Sequence, residues 1–318
     1  MRIVISEFMD MPAVEALRQR FDVRYAPELV DQRDALLQAV GDADGLIVRN
    51  RSKVDAALLG AAPRLRAVGR LGVGLDNIDL DGCAARGIAV VPATGANARA
   101  VAEYVIGTTL ALLRGAYFSS AAVAAGEWPR TALSQGLEAQ GRTLGIVGFG
   151  GIGRLTARLA RGLDMRVIGC DAALPPGNPA WKEAGVAAMP LDELLAQADA
   201  VTLHLPLTPD TRHLLDAGRI ARLRRGAVLI NTSRGGIVDE AALARALRAG
   251  LLRGAALDVF GEEPLPAGSP LAGAPNLILT PHIAGLTQEA NTRVSDMVAA
   301  GVTIALTGGA AAAADTAP

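Results

Sequence analysis

The stretch from Thr143 to Asp171, TLGIVGFGGIGRLTARLARGLDMRVIGCD, constrains the fold of this chain more than any other. An apolar run, Leu144 to Val147, stops at Gly148-Phe149-Gly150-Gly151-Ile152-Gly153. A helical pattern then leads to a second apolar run, Val167 to Cys170, closed by Asp171. This order predicts strand, glycine turn, helix and strand, the unit that binds a dinucleotide. Gly148 permits a tight turn off the strand, Gly150 lets a pyrophosphate approach the backbone, and Gly153 lets the helix pack against the sheet. The helix start at Gly151 and Ile152 offers unpaired N–H groups and a partial positive charge to the phosphates. Asp171 lies 18 residues after Gly153, a spacing that suits a carboxylate on the ribose hydroxyls. Asp171 would repel a 2′-phosphate and Ala172 brings no compensating charge, so NAD is expected rather than NADP.

The same alternation extends in both directions. Upstream, strands are expected at Arg2 to Ser6, Val23 to Tyr25, Gly45 to Val48 and Ala67 to Gly69. Helices are expected at Met11 to Arg20, Asp31 to Val40, Val54 to Gly60 and Leu80 to Arg86. Downstream, strands at Ala200 to Leu205, Ala227 to Asn231, Gly254 to Val259 and Leu277 to Leu279 interleave with helices, and Gln288 to Leu306 reads as a long last helix. Strands separated by helices call for parallel sheets with helices on both faces. At 318 residues the chain is too long for one small core. The expected fold class is therefore α/β, with two doubly wound parallel-sheet domains. One is a flavodoxin-like substrate domain, discontinuous over 1–98 and 286–318, and the other is a Rossmann NAD-binding domain over 99–285. The polar, glycine-broken segment Gly115 to Gly141 fits neither sheet, and a subunit contact is its expected use. The tail TGGAAAAADTAP has no periodic pattern and is expected to be mobile.

Composition excludes other classes. A net charge of −1 with 20% charged residues leaves no nucleic-acid footprint. No apolar run reaches the length of a membrane span, since even Val101 to Leu113 contains Glu103. The N-terminus carries acids early and lacks a signal-peptide pattern. Cys83 and Cys170 form no CxxC or metal-type cluster, so no metal and a reducing cytoplasm are expected.

Strand ends carry the candidate chemistry, because open parallel sheets bind ligands there. Arg49, Arg51 and Arg70 cluster at such ends beside the glycine loop Gly72-Val73-Gly74, which argues for an anionic substrate. Of the three histidines, His204 sits in a His-Leu-Pro turn and His213 near a helix start, whereas His282 follows Pro281 at a strand end in the nucleotide half. Upstream, Glu262 and Glu263 close the strand end Asp258-Val259-Phe260-Gly261. A carboxylate beside an imidazole favours its protonated form and fixes its orientation. Arg234, flanked by Ser233 and Gly235, can hold a carboxylate bidentately. Together these suit hydride chemistry: His282 exchanging a proton with the substrate oxygen, a Glu tuning it, and Arg234 anchoring the carboxylate.

Five motifs, Gly148 to Gly153, His204-Leu205-Pro206-Leu207-Thr208-Pro209, Asn231 to Asp239, Asp258 to Pro264 and Pro281-His282, together resemble the D-isomer-specific 2-hydroxyacid dehydrogenase family. The resemblance runs in order from the first strand to about Leu306. It implies Arg234, Glu263 and His282 as the catalytic set, with Glu262 an exposed neighbour. It also implies that Asp258 and the backbone near Leu205, Pro206, Thr232 and Ser233 line the nicotinamide end of the NAD site. Backbone N–H groups at Val73 and Gly74 would meet the substrate carboxylate, and a homodimer would form through the NAD-binding domain. Arg49 and Arg70 fall where phosphoglycerate dehydrogenases hold the distal phosphate, and a sulfonate would suit the cluster as well. The chain lacks the C-terminal regulatory extension of many of those enzymes, so serine feedback is not expected. The expected function is an NAD-dependent interconversion of a 2-hydroxy acid carrying a second anionic group, of 3-phosphoglycerate or sulfolactate type, with its 2-keto acid. The alternatives are a glyoxylate or hydroxypyruvate reductase and, in another class, an NAD(H)-sensing corepressor-like binding protein.

Overall fold

The computed structural model describes residues 1–308, so the stretch of the tail from 309 onward lies outside the described residues. The chain divides into two compact units: Met1–Asn97 with the described residues from Leu286 onward, and Ala98–Gly285.

Unit 1 runs β1 (Arg2–Ile5), α1 (Met11–Arg18), β2 (Asp22–Tyr25), α2 (Arg33–Ala39), β3 (Gly45–Val48), α3 (Ala56–Ala61), β4 (Ala67–Arg70), α4 (Leu80–Ala85) and β5 (Ala89–Pro92). Its five strands are parallel in the order β2-β1-β3-β4-β5, the flavodoxin-like winding. Each residue of β3, GLIV, is buried, as a central parallel strand covered on both faces requires, while edge strand β2 alternates exposed and half-buried residues. Asp55 and Asp79 cap α3 and α4 by accepting from Leu58 N and Gly82 N.

Unit 2 opens with the long α5 (Ala98–Arg114), then two short helices, α6 (Ser120–Ala124) and α7 (Arg130–Leu133). The nucleotide-type alternation follows: β6 (Thr143–Val147), α8 (Gly151–Arg161), β7 (Arg166–Cys170), α9 (Pro179–Ala184), β8 (Ala187–Ala188), α10 (Leu191–Gln197), β9 (Ala200–Leu203), α11 (Ala217–Arg222), β10 (Val228–Asn231), α12 (Glu240–Arg248), β11 (Gly254–Leu257) and β12 (Leu277–Leu279). The seven parallel strands lie in the order β12-β11-β10-β9-β6-β7-β8, so the winding reverses beside β6, at the topological switch point. Both units are thus the doubly wound α/β sheets expected from the alternation.

The last helix, α13 (Gln288–Thr307), belongs to unit 1 and packs on β4, β5 and α1. Close packing is possible because the contact points lack side chains. A Cβ at Gly69 would lie 2.6 Å from Val298, and one at Gly301 would lie 2.4 Å from Val91. Some local readings shift. The helix expected from Val54 starts at Ala56, because Val54 is drawn into a bridge with Ile78. Strand β5 and helix α9 are additional to the elements expected from the sequence, as is β8, whose two residues are too few to show a period. Gly115 to Gly141 holds a 3₁₀ turn, Tyr117–Ser119, besides α6 and α7, and it leaves Tyr117 and Trp128 69% and 78% exposed.

Replacing Gly301 with Val should cost unit 1 about 1–3 kcal/mol, because β-branched Val91 has little room to move. Urea unfolding would measure it, and an unchanged midpoint would refute the close packing of α13 on β5.

Candidate active site

The glycine turn between β6 and α8 has three distinct geometries. Gly148 has φ of 94°, and a Cβ there would lie 2.2 Å from the carbonyl oxygen of His204. Only glycine fits, because both the backbone angle and the space exclude a side chain. A Cβ on Gly153 would lie 2.3 Å from the Gly148 carbonyl oxygen, so Gly153 lets α8 sit close against the turn. Gly150 and Gly151 have open space where a side chain would stand. The start of α8 is therefore uncovered, with its first N–H groups lacking helical acceptors. Asp171, just past the end of β7, accepts from Phe149 N at 2.6 Å and from Ala173 N at 2.8 Å, tying its carboxylate to the same turn.

On the other side of the switch point, Asp258 follows β11 and is 1% exposed. One carboxylate oxygen accepts from the Thr280 hydroxyl at 2.6 Å and from Ile283 N at 2.8 Å, and the other accepts from Ala284 N at 2.8 Å. A buried carboxylate needs several donors to offset its lost hydration, and here the donors all come from the turn around His282. Tyr104 of α5 adds to this set, its hydroxyl 2.6 Å from the Thr280 hydroxyl. Burial pushes the Tyr104 phenol above its ordinary range. Thr280 has one proton and gives it to Asp258, so Tyr104 is the donor to Thr280.

Within that turn His282 has φ of 56°, a left-handed angle that is unfavourable for a side-chain-bearing residue. Its Nδ1 lies 2.8 Å from Glu263 Oε2, and Glu263 Oε1 accepts from Phe260 N at 3.0 Å. Backbone and imidazole thus hold the two carboxylate oxygens of Glu263 in place, while both side chains stay more than 30% exposed. With Nδ1 facing Glu263, Nε2 is the ring nitrogen left for other chemistry. Glu262, the neighbouring carboxylate, is exposed.

Arg234 stands in the turn after β10. Asn231, 1% exposed, builds that turn: its side-chain oxygen accepts from Ser233 N and the Ser233 hydroxyl, and its amide donates to the Arg234 carbonyl. The Arg234 guanidinium is half-buried and donates to the Ser233 carbonyl at 2.6 Å. In the same turn the Thr232 hydroxyl oxygen is buried without a hydrogen-bond partner. An orphaned buried hydroxyl and an uncovered helix start both fit a bound dinucleotide. Leu205 and Pro206 follow β9, with Leu205 half-buried and Pro206 exposed.

In unit 1, the three arginines separate. Arg49, at the end of β3, is half-buried, donates to Asn291 Oδ1 at 2.8 Å and lies over the Phe8 ring at 5.8 Å. Burial lowers its pKa, an effect that nearby Glu7 opposes. Among the described residues no carboxylate forms an ion pair with it. Arg51 pairs instead with Asp31 on the surface, and so its charge is already matched. Arg70 folds back on the glycine loop, donating to the Leu71 carbonyl at 2.9 Å and occupying the space over Gly72, while Val73 is 37% exposed and Gly74 half-buried.

The sequence reading did not single out Tyr104, Thr280, Asn231 or Asn291. Thr280 immediately precedes Pro281 and could have been noticed there; Tyr104 and Asn291 sit on helices with no local signal. The other two histidines are accounted for structurally. His213 is exposed with φ of 49°. His204 has Nε2 3.2 Å from the Thr202 hydroxyl, and desolvation pushes its imidazole down to about 4. Among the described residues no group of His, Cys, Asp and Glu is placed to hold a metal ion, and no helix is long and apolar enough to cross a membrane.

Two doubly wound units, one with a dinucleotide-type glycine turn and a His–Glu pair at its strand ends, define a nucleotide-linked α/β oxidoreductase. Residues 106–284 match the family model described as D-isomer specific 2-hydroxyacid dehydrogenase, NAD binding domain. The chain is 54% identical over 293 residues to the (S)-sulfolactate dehydrogenase of Chromohalobacter salexigens, covering 92% of this chain and 94% of that one. It is 40% identical over 306 residues to the D-3-phosphoglycerate dehydrogenase of Mycobacterium tuberculosis, covering 96% of this chain but spanning only 57% of that protein. A crystal structure of a glyoxylate reductase from Paecilomyes thermophila aligns with a TM-score of 0.84 at 31% identity, over 97% of this chain and 96% of that one. The chain belongs to the D-isomer-specific 2-hydroxyacid dehydrogenase family, whose members are NAD-dependent oxidoreductases of 2-hydroxy acids.

His204 makes stability depend on pH. Its imidazole is neutral in the fold down to about pH 4, whereas the unfolded chain takes up that proton below about 6.5. Stability is therefore complete above about pH 6.5 and falls as the pH drops toward 4, by about 2 kcal/mol at pH 5. Denaturant titrations at pH 7.5 and 5 should show that loss, and His204→Gln should reduce it. An equal pH dependence in the variant would exclude His204 as its source.

Proposed function

We propose that this protein interconverts a 2-hydroxy acid bearing a second anionic group, of sulfolactate or 3-phosphoglycerate type, with its 2-keto acid. The observation that carries the substrate class is Arg49: a half-buried guanidinium, bonded to Asn291 and set over Phe8, that forms no ion pair with a carboxylate among the described residues. Desolvating a charge in this way is costly unless an anion meets it. Arg70, beside the glycine loop, is the second positive group assigned to that anion, with backbone N–H groups of Val73 and Gly74 assigned to the substrate carboxylate. The similarity to a sulfolactate dehydrogenase over nearly the full length of both chains supports the same class. Unit 1 is accordingly the substrate-binding domain and unit 2 the NAD-binding domain.

Bound NAD supplies the hydride acceptor. Gly148, Gly150, Gly151, Ile152 and Gly153 would hold its pyrophosphate, Asp171 its ribose hydroxyls, and Leu205, Pro206, Thr232, Ser233 and Asp258 the nicotinamide end. In oxidation the substrate hydroxyl gives its proton to His282 Nε2 as the hydride leaves C2. In reduction His282 returns the proton to the carbonyl oxygen. Glu263, at 2.8 Å from Nδ1, holds the ring with Nε2 outward and stabilises the imidazolium that forms. Arg234 holds the carboxylate of the substrate and polarises its C2 oxygen. We further infer a homodimer joined through unit 2, supported by the exposed Tyr117, Phe118, Val123 and Trp128 in one segment, and a reducing cytoplasm as its setting, supported by two free cysteines.

A panel of sulfolactate, 3-phosphoglycerate, glycerate, hydroxypyruvate and glyoxylate, followed by NADH absorbance, should show turnover with preference for the doubly anionic acids. No turnover with any of them would sink the reading. His282→Ala should lower kcat by about 10²–10⁴ while NADH binding by fluorescence stays within about twofold. Unchanged turnover would remove His282 from the mechanism.

A further inference from the structure

Arg49 projects from a segment held from two sides. Glu7, just past β1, is 5% exposed, and its carboxylate is spent on backbone N–H groups of that segment. Oε1 accepts from Arg49 N at 2.8 Å and Ser52 N at 2.9 Å, and Oε2 accepts from Arg51 N at 3.3 Å. On the carbonyl side, the Asn77 amide nitrogen donates to the Arg49 carbonyl at 3.2 Å and the Ser52 carbonyl at 2.7 Å. The buried hydroxyls of Ser6 and Ser52, 2.9 Å apart, add a further tie to β1. Asn77 itself lies in the segment that leaves β4 through Gly72-Val73-Gly74, and the Val54–Ile78 bridge fastens the same two segments next door.

The consequence is geometric. Arg49 and the Gly72–Gly74 loop leave different strands, yet Asn77 fixes one to the other and Glu7 fixes the Arg49 side to β1. We propose that Glu7 and Asn77 are positioning residues for substrate selection: they set the separation between the glycine loop and Arg49, and so favour a three-carbon acid with its second anion on C3. This inference rests on the assignment of Arg49 and the glycine loop to the two ends of the substrate. Neither residue is required to touch the substrate. Glu7 is an acid within an anion-binding region, which makes sense only if its bonds to the loop outweigh its charge. If charge were its only effect, its removal would strengthen anion binding.

The test compares sulfolactate and 3-phosphoglycerate with glycerate, oxidised with NAD by the full-length protein. In Glu7→Gln, the oxygen can still accept but the amide opposes one N–H group. The ratio of kcat/KM for the doubly anionic acids to that for glycerate should fall about tenfold, mostly through KM. Asn77→Ala, which leaves the Glu7 side intact, should lower the same ratio, and Glu7→Asp should give an intermediate value. An unchanged or raised ratio in both Glu7→Gln and Asn77→Ala, with melting temperatures near that of the parent, would overturn the proposal. Should Glu7→Gln fail to fold, Asn77→Ala decides alone. Arg49→Ala separates the two levels: if it abolishes the preference while the clamp variants keep it, only the clamp is wrong. If Arg49→Ala leaves the preference intact, the assignment of Arg49 is wrong.

Discussion

The buried carboxylate of Asp258 is the contact on which the candidate site of unit 2 is built. Removed from water, it requires donors, and the fold offers the Thr280 hydroxyl and the N–H groups of Ile283 and Ala284. Meeting that requirement wraps the chain around β11 in a tight turn, with His282 at its apex in a left-handed conformation. That angle is unfavourable for a side-chain-bearing residue, and here the bonds from Thr280, Ile283 and Ala284 to Asp258 fix the chain on both sides of it. The hydrogen bonds to Asp258 thus help to hold the left-handed turn at His282, and the imidazole gains an orientation that a free loop could not maintain.

The same arrangement recurs at each functional turn. Asn231 satisfies the backbone and hydroxyl of Ser233 and so shapes the turn that carries Arg234. Glu263 divides its oxygens between Phe260 N and His282 Nδ1. In unit 1, Glu7 and Asn77 satisfy both sides of the segment behind Arg49. In every case a polar side chain bonds backbone groups of a turn that follows a strand, and that turn carries a candidate functional residue. Parallel sheets make this possible because all their strands finish on one edge, so several such turns gather there.

Much of this architecture can be read in the sequence, for reasons tied to period and composition. Strands such as GLIV and TLGIV are apolar throughout because both faces are covered, and the helices between them repeat at 3.6 residues, so the alternation is visible without coordinates. The glycine turn is legible because a Cβ on Gly148 or Gly153 would lie 2.2 or 2.3 Å from a carbonyl oxygen, closer than any side chain tolerates. Two-residue β8 carries too little periodicity to be seen. The contacts between distant residues are likewise hidden. Glu263 and His282 are 19 positions apart, Glu7 and Arg49 are 42 apart, and Tyr104 and Thr280 are 176 apart. Local pattern names a residue type and its element, whereas pairing across such separations is decided by sheet order.

The three arginines illustrate the same division. The local pattern places Arg49, Arg51 and Arg70 together near strand ends as equal charges, and only the family resemblance singles out Arg49 and Arg70. Packing separates them by their partners. Arg51 reaches the surface and meets Asp31, a pair that solvent screens and that contributes little. Arg49 lies half-buried over the Phe8 ring and loses hydration, without an ion pair among the described residues to offset that loss. A charge that solvent screens imposes no demand on a ligand, whereas one held half-buried by a neutral amide favours an anion as its partner. On the proposed reading, selectivity for a second anionic group would arise from the neutrality of Asn291 and the bonds of Glu7 to the backbone, as much as from Arg49 itself.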